Sequence, residues 1–473
     1  MDKINKYKKL FSDTMLFSFS VLVSKVLSFF MLPLYTNRLT TQEYGTIDLV
    51  VTTASLLIPV LTLSITDAVL RFSLDKDSDP MMIFSIGLKF LAFGVVLAIV
   101  ISLIAMICGF DIKLCMVFDL IFITNSIYTL LSQFVRGIGR VKVFALNGII
   151  STSVTIGFNI LFLVVFKAGI YGYLSSIIIS EFICIIYMSC TINIKQYISF
   201  EKRDKEKQRE MLKYATPLIP NSISWWVNSL SDRYIIVALC GVGINGIYSA
   251  ACRLPTLVST AGDIFMRAWQ LSAISELNSK NRNEFYNLIY KYYNLVLVFC
   301  CSIGIMATPL LAKILFDVKF QSAWKSAIFL LIGAVFSALN GFIGSLFTAT
   351  KNSRSLFIST LIGASTNILL NFMLIPILNE CGAAIATMTS FFIILIVRGK
   401  LLKSEFPEFK VFRIKFILGY ILLIVQASVM LCTINNIFVL NVIISLLIIF
   451  LFSKDIFLLL EKALFKSRLR LNK

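Results

Sequence analysis

Long apolar runs alternate with short polar segments along the whole chain. Each run is about 20 residues long, the length that an α-helix needs to cross the hydrocarbon core of a bilayer. The pattern predicts an all-α integral membrane protein with about fourteen transmembrane helices. The predicted spans cover residues 12–36, 46–71, 82–108, 114–135, 143–166, 170–192, 214–240, 247–272, 285–311, 324–349, 355–378, 381–401, 411–433 and 436–453.

Basic residues are distributed unevenly between the two sides of the predicted bundle. An even number of spans puts both termini on one side. The loops and tails of that side hold 33 lysines and arginines, with span-end residues counted in the adjoining loop, and the opposite loops hold 6. Because lysine and arginine concentrate in cytoplasmic loops, both termini are predicted to be cytoplasmic. The net charge of +19 then faces anionic lipid and does not indicate nucleic-acid binding.

The composition restricts the chemistry further. Only 15% of the residues are charged, whereas a soluble domain carries about a quarter. The chain has no histidine, which excludes histidine acid–base catalysis and the usual zinc sites. Its ten cysteines form no CxxC pair and are interpreted as small apolar residues. We therefore predict no enzyme, no metal site and no cofactor.

A basic linker divides the spans into two sets of six, with a further pair appended. The predicted segments are an N-terminal six-helix half at 1–192, a basic cytoplasmic linker at 193–213, a C-terminal six-helix half at 214–402, and an appended two-helix segment with a basic tail at 403–473.

Weak self-similarity relates the two halves. EYGTIDL at 43–49 matches INGIYSA at 244–250, which places Gly45 over Gly246, and Asn159 falls over Asn371 in a later match. Six spans are an even number, so both halves have the same orientation. The sequence predicts two parallel repeats about an axis along the membrane normal, as in many transporters.

Polar residues recur every three or four positions in the first two spans of each half, so they are predicted to share helix faces. Such faces avoid lipid, and we expect them to line a central hydrophilic cavity or to bind helices together. The predicted lining residues are Lys25 and Ser28 of span one; Asp48, Thr52 and Ser55 of span two; Asn221, Asn228, Asp232 and Arg233 of span seven; and Ser249, Arg253, Thr256 and Thr260 of span eight.

Other charged residues within spans have separate interpretations. Asp232 and Arg233 are also candidates for a local structural pair. Lys89 and Lys291 lie about two turns from the cytoplasmic span ends and are interpreted as snorkelling. Asp119 and Glu181, in spans four and six, are predicted either to be partnered structural acids or to bind a coupling ion.

Three segments resemble one family of transporters. The stretches LPLYTNRLTTQEYGTIDL at 32–49, SDRYIIVALCGVGINGIYSAACRL at 231–254 and QFVRGIGRVKVF at 133–144 resemble the polysaccharide branch of the multidrug/oligosaccharidyl-lipid/polysaccharide (MOP) exporter superfamily. They are similar to bacterial flippases for polyprenyl-diphosphate-linked O-antigen or capsule repeat units. This resemblance implies a location in the bacterial inner membrane and a lipid-linked oligosaccharide substrate.

The resemblance also implies roles for two basic residues. In that family, basic residues in the central cavity are thought to bind the lipid diphosphate. The resemblance implies the same role for Lys25 and Arg253. Thr52 stands opposite Arg253 in the repeat, so this site is expected to be less charged than in relatives with an arginine there. Candidate partners, besides membrane lipids, are a polysaccharide polymerase and the chain-length machinery of a polysaccharide pathway.

Three other functions compete with the flippase. A cation-coupled multidrug exporter of the same superfamily would need an essential carboxylate and would have little need for the basic residues of the cavity. A membrane-embedded polysaccharide polymerase or ligase would need a sizeable outside loop, and the predicted outside loops are all short. A scaffold of polysaccharide assembly would transport nothing.

Overall fold

The computed structural model describes residues 22–75, 78–199, 204–277, 279, 281–350, 352–432 and 436–471. Every regular element within these ranges is a helix. The chain forms two compact units, Met1–Ser249 and Ala250–Lys473. The boundary between these units lies at residues 249 and 250. The predicted division of the repeat at the linker 193–213 stays a prediction.

In its described residues, the first unit contains twelve helices, of which the last extends two residues into the second unit. A π-helical turn at Leu161–Val165 continues α7, and a 3-10 turn at Ile194–Tyr197 follows α8. The helices are α1 (22–30 in the described range), α2 (Leu32–Arg38), α3 (Thr41–Leu61), α4 (Ile65–Ser73), α5 (Pro80–Ile107), α6 (Ile112–Gly137), α7 (Val141–Ile160), α8 (Gly169–Ile192), α9 (Lys205–Ala215), α10 (Leu218–Leu230), α11 (Asp232–Cys240) and α12 (Val242–Ala251).

The described part of the second unit contains seven helices. They are α13 (Pro255–Ser275), α14 (Arg282–Leu315), α15 (Ala323–Ala349), α16 (Ser353–Leu378), α17 (Glu380–Leu402), α18 (Ile414–Leu431) and α19 (Ile437–Leu471). Most of α15 is buried, so it forms the centre of this unit, with α13, α14 and α17 packed around it.

Within the described ranges, 11 helical segments are long and apolar enough to cross a membrane. They confirm the prediction of an all-α, multi-pass membrane protein. The other three predicted spans fall on the helix pairs α1–α2, α10–α11 and α12–α13. The count of fourteen spans and the two-repeat layout stay predictions.

The second predicted span, 46–71, is two helices instead of one. α3 ends at Leu61, and Leu63 and Ser64 then adopt left-handed φ angles of 55° and 50°. Pro59 lies in the last turn of α3, where its missing N–H weakens the helix. The prediction of one continuous polar face along this span was therefore wrong beyond α3.

The eighth predicted span, 247–272, is also divided. α12 ends at Ala251, and α13 begins at Pro255, whose ring disfavours helical backbone at the preceding residue. Arg253 lies in the turn between the two helices and is exposed. This break contradicts the prediction of one helix face that holds Ser249, Arg253, Thr256 and Thr260.

Shorter interruptions divide predicted spans one and seven. Met31 separates α1 from α2, which has Pro33 in its first turn. Ser231 separates α10 from α11. Helix interruptions at membrane depth are tolerated where other protein groups satisfy the freed backbone. The α10–α11 break places Asp232 and Arg233 at a helix start.

Polar contacts hold α18 and α19 against α14 in the second unit. Lys291 Nζ lies 2.5 Å from Asp455 Oδ1, and Lys415 Nζ lies 3.2 Å from Asp455 Oδ2. The hydroxyls of Ser302 and Ser445 are 2.9 Å apart. Lys291, interpreted as snorkelling, reaches Asp455 just beyond the end of the last predicted span, 436–453, and the interpretation stays a prediction.

α16 and α17 form a tight hairpin whose closest approach is at Gly382. Asn379 makes the turn between the helices with a φ of 49°. A Cβ atom on residue 382 would lie 2.4 Å from the backbone oxygen of Leu374, closer than atoms can pack. Glycine at 382 therefore permits the spacing of the two helices.

We expect Gly382→Ala to lower the stability of the purified protein by about 1–3 kcal/mol, the usual cost of overpacking. The measurement is the midpoint of thermal unfolding in detergent. Gly341→Ala is the matched control, because a Cβ atom there would meet nothing within 4 Å. Alanine favours helix over glycine by about 1 kcal/mol, so the control should unfold at an equal or higher temperature. Equal midpoints for both variants would contradict the prediction.

Candidate functional site

A polar cavity of about 440 Å³ lies between α1, α6 and α7 in the first unit. Lys25 lines it and is exposed. The Ser24 hydroxyl donates to the backbone oxygen of Gly148 at 3.2 Å, which ties α1 to α7. The cavity lining consists of Ser24, Lys25, Tyr128, Thr129, Ser132, Gln133, Phe144, Ala145, Gly148, Ser151 and Thr152.

This cavity, which we call the Lys25 pocket, lies near the turn between α6 and α7. Gln133 is four residues from the end of α6, or about 6 Å along the helix axis. The adjoining turn carries Arg136, Arg140 and Lys142, which the charge distribution assigns to the cytoplasmic side. On that assignment, the pocket lies in the cytoplasmic half of the membrane.

Glu181 lies in the middle of α8, and only 7% of its surface is exposed. The Thr124 hydroxyl donates to Glu181 Oε2 at 2.7 Å, and the Asn125 side-chain amide donates to Glu181 Oε1 at 2.6 Å. Both donors lie midway along α6. The Thr129 hydroxyl approaches Asn125 Oδ1 at 3.5 Å and also lines the Lys25 pocket. Side chains therefore connect the carboxylate to the pocket.

A second polar group lies where α2, α7 and α8 meet. The Asn159 amide donates to the Tyr35 hydroxyl at 3.1 Å, and the Ser176 hydroxyl donates to Asn159 Oδ1 at 2.8 Å. The Tyr35 and Tyr173 rings pack edge to face with centroids 4.9 Å apart. Asn159 and Ser176 are fully buried, so these bonds hold the helices together inside the unit.

Arg233 lies between two carboxylates at the start of α11. Its Nε atom is 2.8 Å from Asp48 Oδ2 on α3, and its terminal nitrogen is 3.3 Å from Asp232 Oδ1. Tyr248 on α12 donates its hydroxyl to the second Asp232 oxygen, and the guanidinium lies 5.7 Å from the Tyr248 ring centroid. All of these side chains are largely buried. The structure therefore shows the predicted Asp232–Arg233 pair and adds Asp48 to it.

α3 and α12 approach each other closely at two glycines. A Cβ atom on Gly246 would lie 1.9 Å from the backbone oxygen of Thr41, and one on Gly45 would lie 2.2 Å from that of Val242. The Asn245 amide donates to the Gly45 oxygen at 3.1 Å. Gly45 and Gly246 are the residues that the sequence repeat aligned, and here they pack against each other.

The other predicted lining residues fall in several places. Ser55 and Asn221 line a separate cavity of about 340 Å³, and the backbone oxygen of Thr52 accepts from the Trp226 indole. Ser28, Thr256 and Thr260 donate to backbone oxygens four residues earlier, and Asn228 and Ser249 are buried. The shared central cavity stays a prediction.

Sequence reasoning missed Thr124, Asn125 and Gln133 as site residues. Thr124 and Asn125 are adjacent polar residues midway along an apolar span, and polar residues at that depth indicate a functional or structural contact. Their pairing with Glu181 was not visible, because 56 and 57 residues separate the partners in the chain. Asp119, the other predicted ion-coupling acid, takes no part in the described hydrogen bonds of Glu181.

Comparison with known proteins gives a family and a fold. Residues 10–269 match a family described as polysaccharide biosynthesis protein. No curated protein matches the chain. The solved structure of the lipid II flippase MurJ, in an inward closed conformation, is 17% identical with a TM-score of 0.70, over 94% of this chain and 99% of that one.

Two multidrug transporter structures are also similar. An inward-facing MATE family transporter of the MOP superfamily is 12% identical with a TM-score of 0.65, over 88% of this chain and 96% of that one. The MATE transporter VcmN of Vibrio cholerae is 12% identical with a TM-score of 0.54, over 84% of this chain and 97% of that one. The family match and these shared folds together confirm the predicted resemblance to the MOP superfamily.

We expect Arg233→Gln to destabilise the protein by about 3–5 kcal/mol, because it leaves two carboxylates buried without their cation. Asp48→Asn should cost less, since Arg233 keeps Asp232. Thermal unfolding of the purified variants in detergent measures both effects.

Arg71→Gln is the matched control for this prediction. Arg71 forms a 2.5 Å ion pair with Asp75, but both side chains are about half exposed. Exposed pairs contribute about 0–1 kcal/mol, so this variant should unfold close to the wild type. An Arg233→Gln variant as stable as Arg71→Gln would show that the buried cluster does not support the fold.

Proposed function

The chain belongs to the polysaccharide biosynthesis protein family, and from that membership we propose that it is a flippase for a polyprenyl-diphosphate-linked oligosaccharide. It would move an O-antigen or capsule repeat unit from the inner to the outer leaflet of the bacterial plasma membrane. The observation that carries the proposal is Lys25, a cation at membrane depth beside a cavity lined by hydroxyl and amide groups.

The chemistry of the Lys25 pocket suits the polar end of such a lipid. An ammonium group attracts a diphosphate, and serine, threonine and glutamine side chains can exchange hydrogen bonds with sugar hydroxyls. A lysine within a membrane span is costly, so a position beside a polar cavity favours a functional role. The polyprenyl tail would stay in the lipid during transfer.

Arg253 is proposed as the second cation for the diphosphate. This assignment rests on the sequence repeat and the family resemblance. The structure adds that Arg253 lies in a turn between α12 and α13, where a side chain is less confined than inside a helix. The membrane potential, negative inside, would favour outward passage of an anion by about 2.3 kcal/mol per charge per 100 mV, provided that no cation leaves with it.

Alternating access is the proposed mechanism, as in other transporters built from repeats. The contacts of α3 with α11 and α12 lie on the side that the charge distribution assigns to the outside. Asp48–Arg233 and the Gly45–Gly246 approach would keep that end closed, and they would have to open for release of the sugar. A polysaccharide polymerase and the chain-length machinery are the proposed partners at release.

A cation-coupled multidrug exporter is the second candidate, because MATE transporters share the fold. The two candidates differ in the groups that they need. An exporter of cationic drugs has little use for Lys25 and Arg253, whereas a carrier of a diphosphate depends on them. A polymerase or ligase is disfavoured, because the family and the fold are those of transporters.

We expect Lys25→Met combined with Arg253→Met to abolish export of surface polysaccharide, because the diphosphate loses both cations. The measurement is the amount of surface polysaccharide in a deletion strain that carries each variant, at matched protein levels in the membrane. Each single variant should export less than the wild type and more than the double variant.

Lys89→Met is the control for removing a membrane-span lysine. Lys89 is exposed, and its ammonium group donates to Gln208 at 3.0 Å, away from the Lys25 pocket. It should export normally. Full surface polysaccharide in the double variant would overturn the proposed function, and hypersensitivity of the deletion strain to cationic drugs would support the exporter.

A further inference from the structure

Glu181 is a buried carboxylate whose hydrogen-bond partners are all neutral. It lies 12 residues into α8, about 18 Å along the axis, and therefore near the middle of the predicted span. Its two oxygens accept from Thr124 and Asn125. Among the described residues, no lysine or arginine forms an ion pair with it.

The described groups that hydrogen-bond to Glu181 carry no compensating charge, and the cation of the adjoining cavity is Lys25 on α1. Tyr128 on α6 and Cys184 on α8 are close enough to interact electrostatically with it, and both are neutral when protonated. On α3, Glu43 reaches the outer end of α8 at Gly169, and Asp48 is paired with Arg233. The described residues of α7 nearest to α8 at this depth include Ser151 and Asn147, which are uncharged.

A carboxylate in this position is costly unless it holds a cation. Transfer of a charged group to an apolar medium is expensive, and a carboxyl group avoids the cost by binding a proton. Ionisable residues inside membrane bundles commonly mark ion pathways and proton relays. Burial alone does not select a proton over a metal cation, so the hydrogen-bond geometry decides between them.

Thr124 can satisfy Glu181 in both protonation states. Its hydroxyl oxygen is 2.7 Å from Glu181 Oε2 and 3.3 Å from the backbone oxygen of Ile121. When the carboxylate is charged, the hydroxyl donates to it. When a proton binds Oε2, the new O–H bond donates to Thr124, whose own proton rotates to Ile121. Asn125 donates to Oε1 in both states, so one rotation accommodates the proton.

Polar side chains also lead from Glu181 to the Lys25 pocket. Asn125 bonds to Glu181, and Thr129, which approaches Asn125, lines the pocket. On α8, the Ser180 hydroxyl lies 3.3 Å from that of Ser151, another lining residue. A proton or water in the pocket is thus separated from the carboxyl group by polar groups and not by a purely apolar layer.

We propose that Glu181 is the proton-binding group of this transporter, that it exchanges its proton with the Lys25 pocket, and that the Thr124 hydroxyl rotates to accept a hydrogen bond from the protonated acid. The proton is then the coupling ion of the transport cycle. In each event Glu181 gains or loses one proton, with no other bond made or broken. This inference rests on the proposed function only in naming the coupled transport; the proton site itself is independent of the substrate.

Infrared difference spectroscopy of the full chain in lipid nanodiscs tests the site without any substrate. Acid-minus-alkaline spectra should contain a C=O component from the buried Glu181 carboxyl group beside those of the other acids, and Glu181→Gln should lack that component. Thr124→Val should shift this band to higher frequency, because the acid loses its hydrogen-bond acceptor, and Thr124→Ser should restore it. Glu380→Gln is the matched control, a buried carboxyl group in the other unit.

Three results would overturn the inference. One is an unchanged band in Glu181→Gln. Another is its loss in Asp119→Asn instead, which would assign the proton to Asp119. The third is disappearance of the Glu181 band at constant pH when Na⁺ replaces K⁺, which would make the site one for sodium.

Export assays separate this inference from the proposed function. Glu181→Gln should lower surface polysaccharide by about tenfold or more, within the range that coupling between two sites usually carries. Glu380→Gln should leave it unchanged. Normal export by Glu181→Gln, with loss in the Lys25 and Arg253 double variant, would reject proton coupling and keep the flippase. Normal export by both would reject the flippase.

Discussion

The bilayer offers polar side chains no partner, so each polar group in a membrane helix must be satisfied by the protein. This constraint accounts for the polar contacts between the helices. Arg233 lies between Asp48 and Asp232, Lys291 pairs with Asp455, and Asn159 bridges Tyr35 and Ser176. In each case the partners come from different helices, so the same bonds that remove the cost of burial also hold helices together.

Helix breaks serve the same constraint. Pro59 lies in the last turn of α3, Pro255 begins α13, and Ser231 separates α10 from α11, so each break falls within a predicted span. The Gly45–Gly246 approach shows the converse, because absent side chains let two helix starts touch.

Two charged groups stand apart from this structural pattern. Lys25 faces a polar cavity, and Glu181 has only neutral hydrogen-bond partners. A buried carboxyl group with only neutral hydrogen-bond partners is a candidate functional group. The Lys25 pocket and Glu181 belong to one connected set of side chains, which places an anion-attracting group and a proton-accepting group within the same part of the first unit.

The sequence by itself determined the membrane class, the apolar spans and the uneven basic loops, because these depend on local composition and on a length of about 20 residues. It also identified Lys25, Glu181 and the Asp232–Arg233 pair as unusual. Only the tertiary structure decided that Asp48 joins Arg233 and that Thr124 and Asn125 hold Glu181. The predicted polar face of span eight was wrong, because helical periodicity assumes an unbroken helix and the chain breaks before Pro255. Partners 56 to 185 residues apart are brought together by packing, which periodicity along one helix cannot report.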